Sequence, residues 1–236
     1  MKKSVKLVLG TMTFGEQIFG DDVRLMIEYF LSNGYDELDT AYVYNKGECE
    51  ALIGKAIPQL ADCDIKVSTK VNPRITGKLD RKAVLSQFNE SLRRLNIEKI
   101  HTLYLHFPDP TTPIVDTLEA CAQLYNEGKF EQLGLSNFAS WQVSEIYHVC
   151  EHNGWMLPRV YVGVYNPLSR HAEGELNEAV NHYNISFYAY NPLAGGMLTN
   201  KYSSSDREVK AGRFLNRPNY QDRYWKNSFF LATDNL

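Results

Sequence analysis

Residues 65–106 read IKVSTKVNPRITGKLDRKAVLSQFNESLRRLNIEKIHTLYLH. Two short apolar runs, Ile65 to Lys70 and Thr102 to His106, bracket a stretch in which Val84, Leu85, Phe88, Leu92 and Leu95 recur three or four residues apart. The flanking runs have the length of buried strands, and the middle has the period of a helix with one apolar face. Strand, helix and strand in that order make a βαβ unit and a parallel sheet. The same alternation extends outward in both directions. Further strands are expected at Lys6 to Leu9, Glu37 to Asp39, Gln132 to Ser136, Val160 to Val164 and Ser186 to Tyr190. Helices are expected at Val23 to Ser32, Glu48 to Ile57, Arg81 to Leu95, Ile114 to Asn126, Ala139 to Glu151 and Glu173 to His182, as an outer layer. Gly34 and Gly128 follow helical runs where a left-handed cap is wanted.

Two α/β architectures share this rhythm. A dinucleotide-binding doubly wound sheet wants GxGxxG after its first strand, whereas residues 9–15 read LGTMTFG. A (β/α)8 barrel fits better, with about seven of its eight β/α units present and residues 1–236 forming a single domain. After Tyr190 the rhythm breaks, and Asn191 to Asn227 is expected to be a long polar loop.

With 44% hydrophobic and 22% charged residues, the chain can bury a sizeable core. Its net charge of −3 is spread without a basic stripe, so neither nucleic acid nor an anionic membrane is an expected partner. The apolar run near the N-terminus is too short for a signal peptide or a membrane span, which makes the cytoplasm the expected compartment. Cys49, Cys63, Cys121 and Cys150 lie far apart without metal-ligand spacing, so reduced thiols and no metal are expected.

The residues with chemistry cluster at the C-terminal ends of the expected strands, where β/α barrels build their active sites. Asp39 and Tyr44 follow the second strand in DTAYVYNKGECE, Lys70 ends the third in KVSTK, His106 ends the fourth in LYLH, and Ser136 and Asn137 end the fifth in LGLSN. Taken singly, each has an ordinary structural explanation: a cap, a loop aromatic, a solvated strand end, a satisfied histidine. Taken together with VYNPLSR at 164–170, FYAYNPLAGGML at 187–198 and RYWKNSFF at 223–230, they form an ordered set that resembles the aldo-keto reductase family. The stretch from Phe187 to Tyr202, with Arg213 and Tyr220 to Lys226, is similar to its aflatoxin-aldehyde and succinic-semialdehyde reductase branch.

The resemblance implies reduction of aldehydes or ketones with NADPH, which leaves as NADP+. Tyr44 is the implied general acid, and Lys70, held by Asp39, is expected to lower the tyrosine pKa by favouring phenolate. His106 is implied to donate to the carbonyl oxygen and orient the substrate. Ser136 and Asn137 would hold the nicotinamide carboxamide, with Tyr190 as a stacking face. Asn191, Pro192, Leu193, Ala194, Gly195, Gly196 and Lys201 would wrap the pyrophosphate, Arg213 adds charge, and Met12 and Asp39 complete the cofactor set. Tyr220 and Arg223 are implied to face the substrate, where an arginine favours a carboxylate-bearing aldehyde.

Two departures accompany the resemblance. Val162, in YVGVYN, replaces the family's usual glutamine. An eighth strand and its helix are also missing, so the chain is expected to be C-terminally truncated, to have open sheet edges, and to have room for a homodimer. Besides the small-carbonyl reductase, a catalytically impaired paralogue acting as a binding protein is therefore an alternative expectation.

Overall fold

The apolar strands and one-faced helices assemble, in a computed structural model describing residues 5–60, 64–203, 208–209 and 212–235, into a single sheet covered by helices. Cys63 lies outside the described residues. The strands are β1 (Leu9–Gly10), β2 (Glu37–Asp39), β3 (Lys66–Val71), β4 (Ile100–Leu105), β5 (Phe130–Ser136), β6 (Pro158–Val164) and β7 (Ser186–Tyr190). They are all parallel and lie in the order β1 to β7. Between them run α1 (Asp21–Ser32), α2 (Glu48–Ala56), α3 (Arg81–Leu95), α4 (Ile114–Asn126), α5 (Ser140–His152) and α6 (Glu175–His182).

The sheet is strongly curled. Flat strands sit ~4.8 Å apart, so β2 and β7, five steps apart, would be roughly 24 Å from each other. Instead the Tyr188 hydroxyl on β7 donates to Glu37 Oε2 on β2 at 3.2 Å. Seven strands thus form an incomplete (β/α)8 barrel whose inner wall carries Tyr104, Val160, Val162, Tyr188 and Tyr190. Among the described residues β1 pairs only with β2, and β7 only with β6.

Helix packing follows the sequence period. Val84 and Phe88 of α3 are buried with Val71, Leu103 and Leu105 of the sheet, Leu95 is buried in a second cluster with Ile53, Ala56 and Val67, and Arg93 stays in solvent. Asp80 starts α3 by accepting the Ala83 N–H at 2.9 Å, and Asn96 closes it with φ 53°. Gly34 and Gly128 adopt the expected left-handed caps, with φ 82° and 71°.

Two regions differ from the sequence expectation. Only Leu9 and Gly10 pair in β1, because Val5 and Leu7 are exposed and make no ladder with β2. The segment after Tyr190 is far from a plain loop. It holds α7 (Pro218–Tyr224) and runs into α8 (Asn227–Asp234), with Ala194, Met197, Phe214, Tyr220, Tyr224 and Phe230 forming a core of their own. The polar composition hid this cluster because its aromatic residues follow no regular period.

Candidate active site

Parallel strands end on one rim, and side chains two apart on a strand share a face. Asp39 ends β2, Lys70 sits one residue from the end of β3, and His106 directly follows β4. The Lys70 ammonium, 1% exposed, donates to Asp39 Oδ1 at 2.5 Å and to the Thr40 carbonyl at 2.6 Å. It also lies 5.0 Å from the centre of the Tyr44 ring. The Tyr44 and His106 rings meet edge to face, 5.9 Å apart at 82°. The four polar groups expected at strand ends are therefore gathered at one mouth.

The loop that carries Tyr44 is held from α3. Asn45 and Lys46 both adopt left-handed backbone, at φ 48° and 56°, a conformation that asparagine takes readily and lysine rarely. Arg94 braces the chain on either side of them. Its guanidinium donates to the Tyr42 carbonyl at 3.1 Å, stacks on the Tyr42 ring and pairs with the fully buried Glu50 at 3.3 Å. A side chain at Gly47 would collide with this guanidinium, since an added Cβ would lie 2.4 Å from it.

The electrostatics correct one expectation. Lys70 does pull the Tyr44 phenol toward ionisation, but burial outweighs it, and the pKa rises to about 12 instead of falling. Tyr44 therefore keeps its proton at neutral pH. Lys70 stays charged: although burial opposes the charge, Asp39 and Tyr44 together raise its pKa. His106 moves the other way. Burial, then the charges of Lys70 and Arg74, depress its pKa from 6.5 to about 3, so the ring is neutral.

That shift has a measurable consequence. Between pH 6.5 and about 3 the unfolded chain takes up a proton on this residue that the folded chain refuses. Each unit of acidification in that window therefore costs about 1.4 kcal/mol of stability. Urea denaturation between pH 6 and 4 should show the wild-type chain losing stability more steeply than His106→Gln. Parallel curves would show that the ring is not held neutral by the fold.

Of the residues assigned to the cofactor, Ser136, Asn137, Tyr190 and the run from Asn191 to Gly196 lie around the ends of β5 and β7. Asn137 (φ 64°) donates to the His106 carbonyl and to Ser136 Oγ, both at 3.0 Å, and accepts the Tyr190 hydroxyl at 3.1 Å. Beyond β7, Asn191, Ala194, Gly195 and Gly196 all have positive φ, so the chain coils tightly there. Gly195 is also needed for packing, since an added Cβ would press on the Tyr220 ring at 3.0 Å. Met12 packs against this cluster from the end of β1. Arg213 reaches the Tyr220 hydroxyl at 3.4 Å, while Lys201 is exposed. Val162 is buried beside Tyr190 on the inner wall and has no polar group to offer.

The two residues assigned to substrate separate. Tyr220 is 9% exposed within the aromatic cluster, and its hydroxyl contacts Asn191 and Arg213. Arg223 is exposed, and its charge and a hydrogen bond act on the Tyr190 phenol. Sequence reasoning missed Asn72, Gln87, Arg94 and Glu50. Strand alternation could have found Asn72, two residues past Lys70. It also missed the Arg74 guanidinium, stacked 3.8 Å over the Phe107 ring beside His106.

Among the described residues no group of His, Cys, Asp or Glu is arranged to hold a metal ion, and no helix is long and apolar enough to cross a membrane. Cys49, Cys121 and Cys150 are buried free thiols.

Comparison with known proteins agrees with this arrangement. The chain is 45% identical over 232 residues to aflatoxin B1 aldehyde reductase member 2 of Rattus norvegicus, covering 95% of this chain and 63% of that protein. It is 44% identical over 235 residues to the Homo sapiens protein of the same name, covering 97% and 66%. It is 42% identical over 230 residues to aldo-keto reductase family 7 member A3 of Homo sapiens, covering 94% and 70%. The chain thus spans somewhat under two thirds of the length of the first two relatives. The sequence model of the aldo/keto reductase family matches residues 6–231, and the chain belongs to that family.

Proposed function

We propose that the chain reduces aldehydes or ketones to alcohols with NADPH, residues 1–236 acting as one oxidoreductase domain. The observation that carries this reading is the gathering of Asp39, Tyr44, Lys70 and His106 at one end of the curled sheet. The residues present suit the cofactor chemically. An amide and a hydroxyl at Asn137 and Ser136 can hold a carboxamide, and Tyr190 offers a ring face beside them. The tight left-handed coil at Asn191 to Gly196, with Arg213 near it, suits an anionic diphosphate. When bound, the nicotinamide supplies a hydride to the carbonyl carbon.

The chain's own groups do the rest. His106, a neutral ring, donates to the carbonyl oxygen and fixes its direction. Tyr44 gives its proton to that oxygen, and the phenolate left behind is stabilised by the adjacent Lys70 ammonium until solvent restores the proton. Asp39 keeps the ammonium in place. With valine at position 162, Ser136 and Asn137 alone hold the carboxamide. The loss of one net hydrogen bond there weakens cofactor binding by about 1 kcal/mol.

Arg223 extends the reading to substrate class, because its guanidinium stands at the Tyr190 hydroxyl and remains solvent-accessible. NADPH consumption should be followed with a carboxylate-bearing aldehyde and with an uncharged aromatic one. Arg223→Ala should raise KM for the first by roughly tenfold, about 1.4 kcal/mol, and leave the second nearly unchanged. Equal effects on both would make Arg223 a solvated loop charge, and no turnover of either by the wild type would oppose the proposed function itself.

A further inference from the structure

Asn72 lies beyond Lys70 at the end of β3, is 2% exposed, and uses both ends of its side-chain amide. Oδ1 accepts the Arg74 backbone N–H at 2.9 Å, which starts the turn Pro73–Ile75. A backbone N–H only donates, so this contact establishes which end of the amide is the oxygen. The other end, Nδ2, therefore faces His106 Nδ1 at 3.3 Å. An amide nitrogen also only donates. Nδ1 can meet it only with a lone pair, which leaves the single proton of a neutral imidazole on Nε2.

The bond from the Arg74 N–H to Oδ1 keeps the amide from turning over, and the backbone that carries it is clasped from α3. The Asn72 backbone N–H donates to Gln87 Oε1 at 2.8 Å, and Gln87 Nε2 donates back to the Asn72 carbonyl at 3.1 Å. Gln87 is itself 2% exposed, so solvent does not compete for these bonds. The His106 ring is further fixed by stacking on Phe107, 4.7 Å away at 18°, and its backbone N–H is bound by the Val71 carbonyl at 3.0 Å.

We propose that Asn72 is a positioning residue that holds His106 in its Nε2–H tautomer, with Gln87 as the clamp that keeps Asn72 oriented. The ring then offers a donor, never a lone pair, to an oxygen approaching from the side away from Asn72. In the opposite tautomer a carbonyl oxygen would meet another lone pair and be repelled. This inference rests on the proposed role of His106 toward the carbonyl, but the tautomer can be observed without any turnover.

The test is long-range proton–nitrogen NMR on the full 236-residue chain with nitrogen-15-labelled histidine, recorded at pH 8 to keep the ring neutral. The His106 signals are assigned by their loss in His106→Gln. The wild-type ring should carry its proton on Nε2. In Asn72→Asp, close to isosteric, the carboxylate can only accept, so the proton should appear on Nδ1. Carbonyl reduction should then fall on the order of 100-fold, as for loss of one donor at a developing oxyanion. NADPH affinity by fluorescence should stay within about twofold.

A wild-type ring protonated on Nδ1, or an Asn72→Asp ring that keeps its proton on Nε2, overturns the inference. The wild-type spectrum alone decides the first point, so an Asp variant that fails to fold does not shield it. A shifted proton with unchanged turnover would support the role of Asn72 and overturn the reading of His106 as carbonyl donor, which keeps the two failures apart.

Discussion

Tyr44→Phe should lower the single-turnover rate of carbonyl reduction by about 100-fold to 10,000-fold while leaving NADPH affinity nearly intact, the range expected when one general acid is removed. The substitution takes away a hydroxyl and little else. A phenylalanine ring can keep the edge contact with His106 and the position beneath the Lys70 ammonium. What disappears is a proton that burial holds in place, with a pKa of about 12, and that only the neighbouring Lys70 charge makes easier to give up. Stopped-flow absorbance of the reduced nicotinamide measures the rate, and fluorescence titration measures binding. A loss of affinity as large as the loss of rate would place Tyr44 on the cofactor and remove it from the role of acid.

Lys70→Met should be damaging in two separable ways. The ammonium is buried and donates to Asp39 and to the Thr40 carbonyl. Removing one partner of such a pair leaves the other charge uncompensated and costs on the order of 3 kcal/mol; Asp39, a fifth accessible to solvent, argues for that low end of the usual range. Reduction should also fall by more than about 100-fold, because the phenolate on Tyr44 loses its counter-charge. The double variant Lys70→Met with Asp39→Asn should recover much of the stability, since both charges are gone, and none of the activity. Urea denaturation and single-turnover rates distinguish these effects. A single variant as stable as wild type would show that the pair contributes little to the fold. A double variant that regains turnover would show that the charge of Lys70 does not act on Tyr44.

The elements legible in the sequence were those whose period and punctuation agreed. Helix α3 has the expected bounds, Arg81 to Leu95, because its apolar stripe is clean, and in the structure Asp80 and Asn96 cap the same ends. Strands β2 and β7 were equally clear, as short runs between turns. The tetrad was legible because reactive residue types recurred at strand ends, where the architecture gathers them. Burial was not legible. The sign of the Tyr44 shift depends on how much desolvation opposes Lys70, and no spacing in the sequence states that. Asn72 was missed for a related reason. In KVNPR an asparagine before proline reads as a turn residue, and it is one, through Oδ1. Its second contact, to His106, depends on β3 and β4 being neighbours in register. Helix α7 escaped because its buried tyrosines sit among arginines, asparagines and prolines whose composition suggests a solvated loop.

The central claim, that the Asp39, Tyr44, Lys70 and His106 cluster directs hydride from a nicotinamide to a carbonyl carbon, is tested most directly by isotope transfer. The 236-residue chain should be incubated with an aldehyde and NADPH carrying deuterium at the transferable position, and the alcohol analysed by mass spectrometry. One deuterium is expected on the carbinol carbon with the wild-type chain, and a loss of at least about 100-fold in labelled product with Tyr44→Phe. Unlabelled alcohol from the wild type, or equal labelling from both proteins, would contradict that claim.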